Sequence, residues 1–246
     1  MTAIRTLIIL LLVSCFTTIT YALPMLQLGP GTVGTWNYDL GTQTWVTDVN
    51  PFSLNAYANS NTAGADGGFA WEPAGATDRY AYLVVSAIPM VSSDHFDVTV
   101  ENDGGALSIF DSGFGAPPVQ DDNNLAPHDI FDTYFEIYQF QFDGALTTIL
   151  NTQPGDAGSG DGYVEVFDFT VNGLIDPVYG VHMDLFTVEG SGIYDPNDPP
   201  NSNKMLVTAF APFSHDAEYI PEPASGLLLL TGLLAGGLFR RSRQDH

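Results

Sequence analysis

The sequence predicts an all-β protein, and three observations lead to that prediction. Apolar and polar residues alternate with a period of two in short segments such as Phe52–Ala58. The middle of the chain keeps no helical amphipathic period over three turns. Among 246 residues there are 25 glycines and 16 prolines, together above the roughly 12% of an average protein. The predicted architecture is an antiparallel β-sandwich, with a jelly roll as one topology of that class.

The predicted strands are short and are bounded by turn residues. Thr35–Leu40 and Thr42–Thr47 flank Gly41 and are predicted to form a tight hairpin. The other predicted strands are Phe52–Ala58, Tyr80–Ile88, Phe96–Val100, Leu107–Phe110, Phe131–Phe142, Tyr163–Val171, Val181–Val188 and Met205–Phe210. Within Phe131–Phe142, Tyr138 and Phe140 alternate with Phe135 and Ile137, which indicates burial on both faces of that strand.

The charge distribution is strongly acidic and excludes two classes of partner. Between Leu23 and Ile220 lie 27 of the 29 acidic residues but only two basic ones, Arg79 and Lys204, for a net charge of −25. A nucleic-acid binder needs clustered Lys and Arg, and so does a protein that docks on anionic lipid. The only cysteine is Cys15, so this segment has no disulfide, thiolate metal site or cysteine nucleophile.

The N-terminus is predicted to be a secretory signal peptide, residues 1–22. Arg5 precedes an apolar run from Leu7 to Val13, and small residues follow, so we expect cleavage between Ala22 and Leu23. The apolar run is shorter than the ~20 residues that a transmembrane helix needs. An alternative processing route is lipidation, because the segment ending in Cys15 resembles a bacterial lipobox.

The C-terminus, residues 221–246, has three features in order. Pro221, Glu222 and Pro223 come first, an apolar segment over 224–239 follows, and Arg240, Arg241 and Arg243 close the chain. The apolar segment is predicted to be a membrane helix with its arginines in the cytoplasm. This arrangement resembles the PEP-CTERM sorting signal. The resemblance implies an exported protein of a Gram-negative bacterium, processed by an exosortase at the membrane and directed to the cell surface or extracellular matrix.

The exported domain, residues 23–220, resembles the choice-of-anchor N family. The resemblance rests on Thr44–Thr47 with Asn50–Leu54, on Asp132–Phe135, and on Ala211–Ala217. It implies a shared exported domain followed by an anchor, and it assigns no chemistry to any residue.

Asp-rich turns make calcium a candidate cofactor. Asp156 and Asp161 flank a Gly-rich segment, and Asp195, Asn197 and Asp198 offer side-chain oxygens within four residues. Calcium takes six to eight oxygen ligands from such turns. The alternative is that Asp, Asn and Gly only form solvated turns, since all three favour turn conformations.

No motif predicts catalysis. Ser214, His215 and Asp216 are adjacent in sequence and so do not converge as a catalytic triad. His182 falls on a predicted strand, where it is interpreted as a packed or half-exposed side chain. A glycosidase needs two carboxylates a few ångströms apart. Among so many acidic residues some pair will always meet that distance, so this criterion does not indicate an enzyme.

The sequence therefore predicts a non-catalytic structural or adhesion component of an extracellular polysaccharide matrix. One alternative is a carbohydrate-binding module, in which Trp36 and Tyr38 on one strand face stack on sugars. The competing interpretation of these aromatics is a buried core. A secreted hydrolase is the second alternative.

Overall fold

A computed structural model describes residues 23–24, 26–60, 80–92, 94–115, 133–156, 158–188, 207–210 and 216–221. This part of the chain is all β, as predicted. Its strands are β1 Leu26–Pro30, β2 Trp36–Asp39, β3 Thr44–Thr47, β4 Phe52–Asn59, β5 Tyr80–Ile88, β6 Phe96–Asn102, β7 Gly105–Ala106, β8 Ile109–Gly115, β9 Thr133–Gln141, β10 Thr147–Leu150, β11 Ser159–Leu174, β12 Gly180–Val188, β13 Val207–Phe210 and β14 Ala217–Tyr219.

The strands form two sheets. The first, sheet A, has the order β1-β4-β11-β6-β7, and β10 pairs with β11. The second, sheet B, has the order β2-β3-β14-β12-β5-β9-β8, and β13 pairs with β12. Side chains from both sheets share one core, which agrees with the predicted sandwich.

The core between the sheets is rich in aromatic residues. The ring of Phe52 on β4 stacks on Phe169 of sheet A, with centroids 4.9 Å apart, and on Tyr219 of sheet B, 5.5 Å away. Phe140 of sheet B meets Phe167 of sheet A edge-on at 4.7 Å. These rings bury large apolar areas and hold the two sheets together.

The part of sheet B around β5, β9 and β12 is buried on both faces, as the pattern of β9 predicts. Tyr138 and Phe140 belong to the core between the sheets, whereas Phe135 and Ile137 join a second buried cluster on the other face. Successive strand residues point to opposite faces, so a strand that is apolar throughout must be covered on both sides.

The structure differs from the predicted strands in several places. Strands β1, β7, β10 and β14 were not predicted, β11 begins at Ser159 rather than Tyr163, and residues 107–108 lie outside any strand. Strands β3 and β14 run parallel, although the prediction was a purely antiparallel sandwich. The short β14 lies between β3 and β12 in the sheet, and it runs antiparallel to β12.

Both predicted sorting segments lie outside the described residues. These are the signal peptide at 1–22, with Ala22 at its cleavage site, and the tail from Glu222 onward, including Pro223, Arg240, Arg241 and Arg243. Pro221 is described and directly follows Ile220, whose amide donates to the Thr47 carbonyl oxygen. No helix long and apolar enough to cross a membrane occurs in the part of the chain that the structure describes.

Candidate functional site

Four titratable side chains meet where β12 and β14 pair. We call them the His182 cluster: His182, Asp184, Asp216 and Glu218. His182 and Asp184 are two residues apart on β12, so both leave the strand on the same face. Glu218 lies directly opposite His182 in the antiparallel register, and Asp216 immediately precedes β14.

The alternation of β12 directs this cluster away from the core between the sheets. The intervening residues Val181, Met183 and Leu185 are buried in that core. Because side chains alternate between the faces of a strand, His182 and Asp184 must lie on the outer face of sheet B. The same alternation applies to β14, where Ala217 and Tyr219 are buried in the core.

The imidazole of His182 is the centre of the cluster. Its Nδ1 lies 3.2 Å from Oε1 of Glu218. Its Nε2 lies 3.3 Å from Oδ2 of Asp184 and 3.5 Å from Oδ2 of Asp216. One ligand atom each from His182, Asp184 and Asp216 can be chosen so that all three lie within 4.8 Å of one another. Both ring nitrogens therefore face carboxylates.

The cluster is buried and rich in negative charge. The side chains of Asp184 and Asp216 are only 6% and 1% exposed, and that of His182 is 12% exposed. The described residues include no lysine or arginine, so His182 is the only basic side chain near these carboxylates within that part of the chain. Buried carboxylates need a cation or several hydrogen bonds to offset their lost hydration.

The carboxylates control the protonation of His182. Burial by itself would lower the pKa of the imidazole, but the charges of Asp184 and Asp216 and the close contacts of the ring with the Asp184 and Glu218 carboxylates raise that pKa well above its ordinary value. The surroundings of the ring thus favour positive charge at His182.

A second group of carboxylates lies at one end of the sandwich and is differently built. Glu165 is buried, and its carboxylate accepts hydrogen bonds from the backbone amides of Asp143 and Gly144 and from the side chain of Asn102. Asp103 and Asp143, which approach it, are exposed. These donors offset the lost hydration of the Glu165 carboxylate, so this group does not need a cation for that purpose.

A third buried carboxylate, Glu136, lies among tyrosines on the core side of β9. Tyr138 donates to Oε2 at 2.6 Å, and Tyr134 donates to Oε1 at 3.3 Å. Burial is the main cause that raises the pKa of Glu136, and the two hydroxyl donors oppose this rise. Burial also raises the pKa of Tyr134 to about 12.

The predicted calcium residues are only partly described. Asp156 lies in the turn before β11, and Asp161 lies within β11 rather than in a loop, on an exposed face. Asp195, Asn197 and Asp198 lie outside the described residues. Among described residues, neither Asp156 nor Asp161 belongs to a group of three close His or carboxylate ligands. Calcium binding at these positions stays a prediction.

The predicted sugar-stacking residues lie on β2, an edge strand of sheet B. Trp36 packs against the core and meets Phe52 edge-on, with centroids 5.5 Å apart. Tyr38 meets Trp45 edge-on at 5.1 Å. This packing favours the core interpretation of the two side chains, and their binding of carbohydrate stays a prediction.

The His182 cluster was not predicted, although the sequence carries part of its signal. His182 and Asp184 form one pair with period two, and Asp216 and Glu218 form another. On strands, each pair must share a face. The sequence does not show that these two strands are neighbours, because Glu218 lies 36 residues beyond His182.

Comparison with known proteins identified no relative: no family model, curated protein or solved structure matches this chain. The assignment of function therefore depends on the residues described above and on the sequence patterns at the two ends.

Proposed function

We propose that this protein is an exported, non-catalytic β-sandwich that an exosortase processes and that becomes a structural or adhesion component of an extracellular polysaccharide matrix. The observation that carries the proposal is the ordered tail, Pro221–Pro223, then an apolar segment, then three arginines, directly after a strongly acidic domain. In the described part of the chain the last strand, β14, ends at Tyr219, two residues before Pro221, which supports a domain boundary at that point.

The surface charge supports a location outside the cell and away from anionic lipid. On the outer face of sheet A, Asp168 lies directly opposite Glu101, and both are exposed. Asp97 is exposed on the same strand as Glu101. Net negative charge keeps copies soluble and apart, and divalent cations would bridge them to acidic polysaccharide.

The sorting step is tested by expressing the full-length chain in a host with an exosortase and in the same host lacking that enzyme. The variant P221A/E222A/P223A serves as a second test, and E101Q, which removes an exposed charge on β6, serves as the matched control. We expect wild type and E101Q to lose the segment beyond the Pro-Glu-Pro and to leave the membrane fraction only in the exosortase host. An identical C-terminal mass and location in both hosts would overturn the proposal.

The non-catalytic assignment is tested separately with chromogenic glycosides and esters. We expect no turnover above that of a heat-denatured sample. Turnover that disappears on substitution of one carboxylate, for example D184N, would identify a hydrolase instead.

A further inference from the structure

The geometry points to a metal centre in the His182 cluster: we propose that Nε2 of His182 and one carboxylate oxygen each from Asp184 and Asp216 bind a divalent transition-metal cation of the zinc class. The inference depends on the positions of these three side chains and not on where the protein is located in the cell. Glu218 is a positioning residue in this site, since it contacts only the other ring nitrogen.

The first argument is the spacing of the three ligand atoms. Zinc binds imidazole nitrogen and carboxylate oxygen at about 2.0–2.2 Å in a tetrahedral arrangement, which places neighbouring ligand atoms about 3.3–3.5 Å apart. Nε2 of His182 lies 3.3 Å from Asp184 Oδ2 and 3.5 Å from Asp216 Oδ2.

The second argument is that two of the three ligand atoms, Nε2 of His182 and Oδ2 of Asp184, lack hydrogen bonds. Among the described residues, Nε2 of His182 and Oδ2 of Asp184 have no hydrogen-bond partner, although the Asp184 side chain is only 6% exposed. One N–H group on Nε2 reaches two carboxylates only by sharing its hydrogen bond between them. A cation bound between His182 Nε2 and Asp184 Oδ2 satisfies both of these atoms, and unsatisfied buried polar groups are costly.

The third argument is the role of Glu218. A neutral histidine that binds metal through Nε2 must carry its proton on Nδ1, and it usually donates that proton to a carboxylate. Glu218 Oε1 lies 3.2 Å from Nδ1 on the adjacent strand. In the proposed metal-bound state, this contact would hold the proton on Nδ1 and leave the Nε2 lone pair for the cation.

The ligand set selects the class of metal. Imidazole suits zinc, iron, nickel and copper, whereas calcium and magnesium take oxygen ligands. The site is therefore distinct in chemistry from the calcium sites predicted at the Asp-rich turns. Its three protein ligands come from β12 and from the residue before β14, so a bound cation would connect these two segments and would keep a fourth coordination position for water.

The test measures Zn²⁺ binding to the full-length chain, first stripped with EDTA, by titration calorimetry and by metal analysis after dialysis. We expect one tightly bound Zn²⁺ per chain in the wild type, and weaker binding of Ca²⁺ at this site. Even outer-shell partners contribute about 10–100-fold to affinity, so D184N and H182Q should weaken Zn²⁺ binding by more than about 100-fold. The control D103N, in the other carboxylate group, should bind as the wild type does.

Loss of binding in D103N, or unchanged binding in D184N, would overturn the proposal, and so would the absence of stoichiometric Zn²⁺. Since a variant that fails to fold gives no information on metal binding, X-ray absorption of the zinc-loaded wild type gives an independent answer. We expect imidazole scattering together with oxygen ligands at about 2.0 Å. A shell of oxygen alone would contradict the proposed site.

Discussion

Nδ1 of His182 lies 3.2 Å from Oε1 of Glu218, the residue directly opposite it on the neighbouring strand. This pair connects β12 to β14, which has only three residues yet lies between β3 and β12 inside sheet B. An internal strand of that length makes few backbone hydrogen bonds. The side-chain cluster around His182 therefore contributes to holding β14 in the sheet.

The variant E218Q tests the positioning role of Glu218 in the proposed metal site. Its amide oxygen still accepts the Nδ1 proton but lacks the negative charge that strengthens the imidazole as a ligand. We expect Zn²⁺ affinity to fall about 10–100-fold with the stoichiometry unchanged. Titration calorimetry checks this, with E101Q as the control for removal of one exposed charge. Equal affinity in E218Q and wild type would show that the contact has no role in metal binding.

The packing of Phe52 predicts a large stability effect. Its ring is fully buried and touches aromatic rings of both sheets, Phe169 and Tyr219. We expect F52A to lower the free energy of unfolding by about 3–5 kcal/mol, because truncation of a buried Phe leaves a cavity. Urea denaturation measures the change. The control V166A removes an exposed side chain from β11 and should cost less than about 0.5 kcal/mol.

Strands with strong local patterns could be predicted from the sequence. β5 has the predicted bounds Tyr80–Ile88, since its apolar run is long and is buried on both faces. β1 lies at the edge of sheet A and contains Gly29 and Pro30, which are typical of turns and so hide the strand in the sequence. The polar side chain of Gln27 can be buried in β1 because Thr152 and the carbonyl of Leu150 satisfy its hydrogen bonds. That partner segment is distant in sequence, so local pattern does not reveal it.

The candidate site was harder to predict for the same physical reason. Period two correctly places His182 and Asp184 on one strand face, and Asp216 and Glu218 likewise share a side. The pairing of β12 with β14 depends on the global topology, which places β14 between the two earlier strands β3 and β12. A three-residue strand also carries too little pattern to be recognised alone.

A close approach at Gly162 predicts a second stability effect. A Cβ added there would lie 2.5 Å from the Ala58 carbonyl oxygen and 2.5 Å from Cδ1 of Ile149. We expect G162A to lower the free energy of unfolding by about 1–3 kcal/mol, as overpacking does. In the same strand, an added Cβ at Gly173 meets no heavy atom within 4 Å. G173A should therefore be neutral or stabilise by about 0.4–1 kcal/mol, and equal losses in both variants would contradict the steric explanation.

The buried carboxyl of Glu136 predicts a pH-dependent stability. Burial raises its pKa in the folded state above the ordinary value of 4.5. At pH values between 4.5 and the raised pKa, the folded state binds more protons at Glu136 than the unfolded state does. The free energy of unfolding therefore falls as the pH rises through that window, and the contribution is fully favourable only below it.

The variant E136Q removes this titration while its amide oxygen keeps an acceptor for the Tyr138 hydroxyl, which lies 2.6 Å from the carboxylate in the wild type. We expect E136Q to gain stability relative to the wild type as the pH is raised from about 4 to about 7. Urea denaturation at several pH values measures the difference. E101Q, which removes an exposed carboxylate, controls for the general loss of one negative charge. Parallel pH curves for E136Q and wild type would show that the folded state does not favour protonation of Glu136.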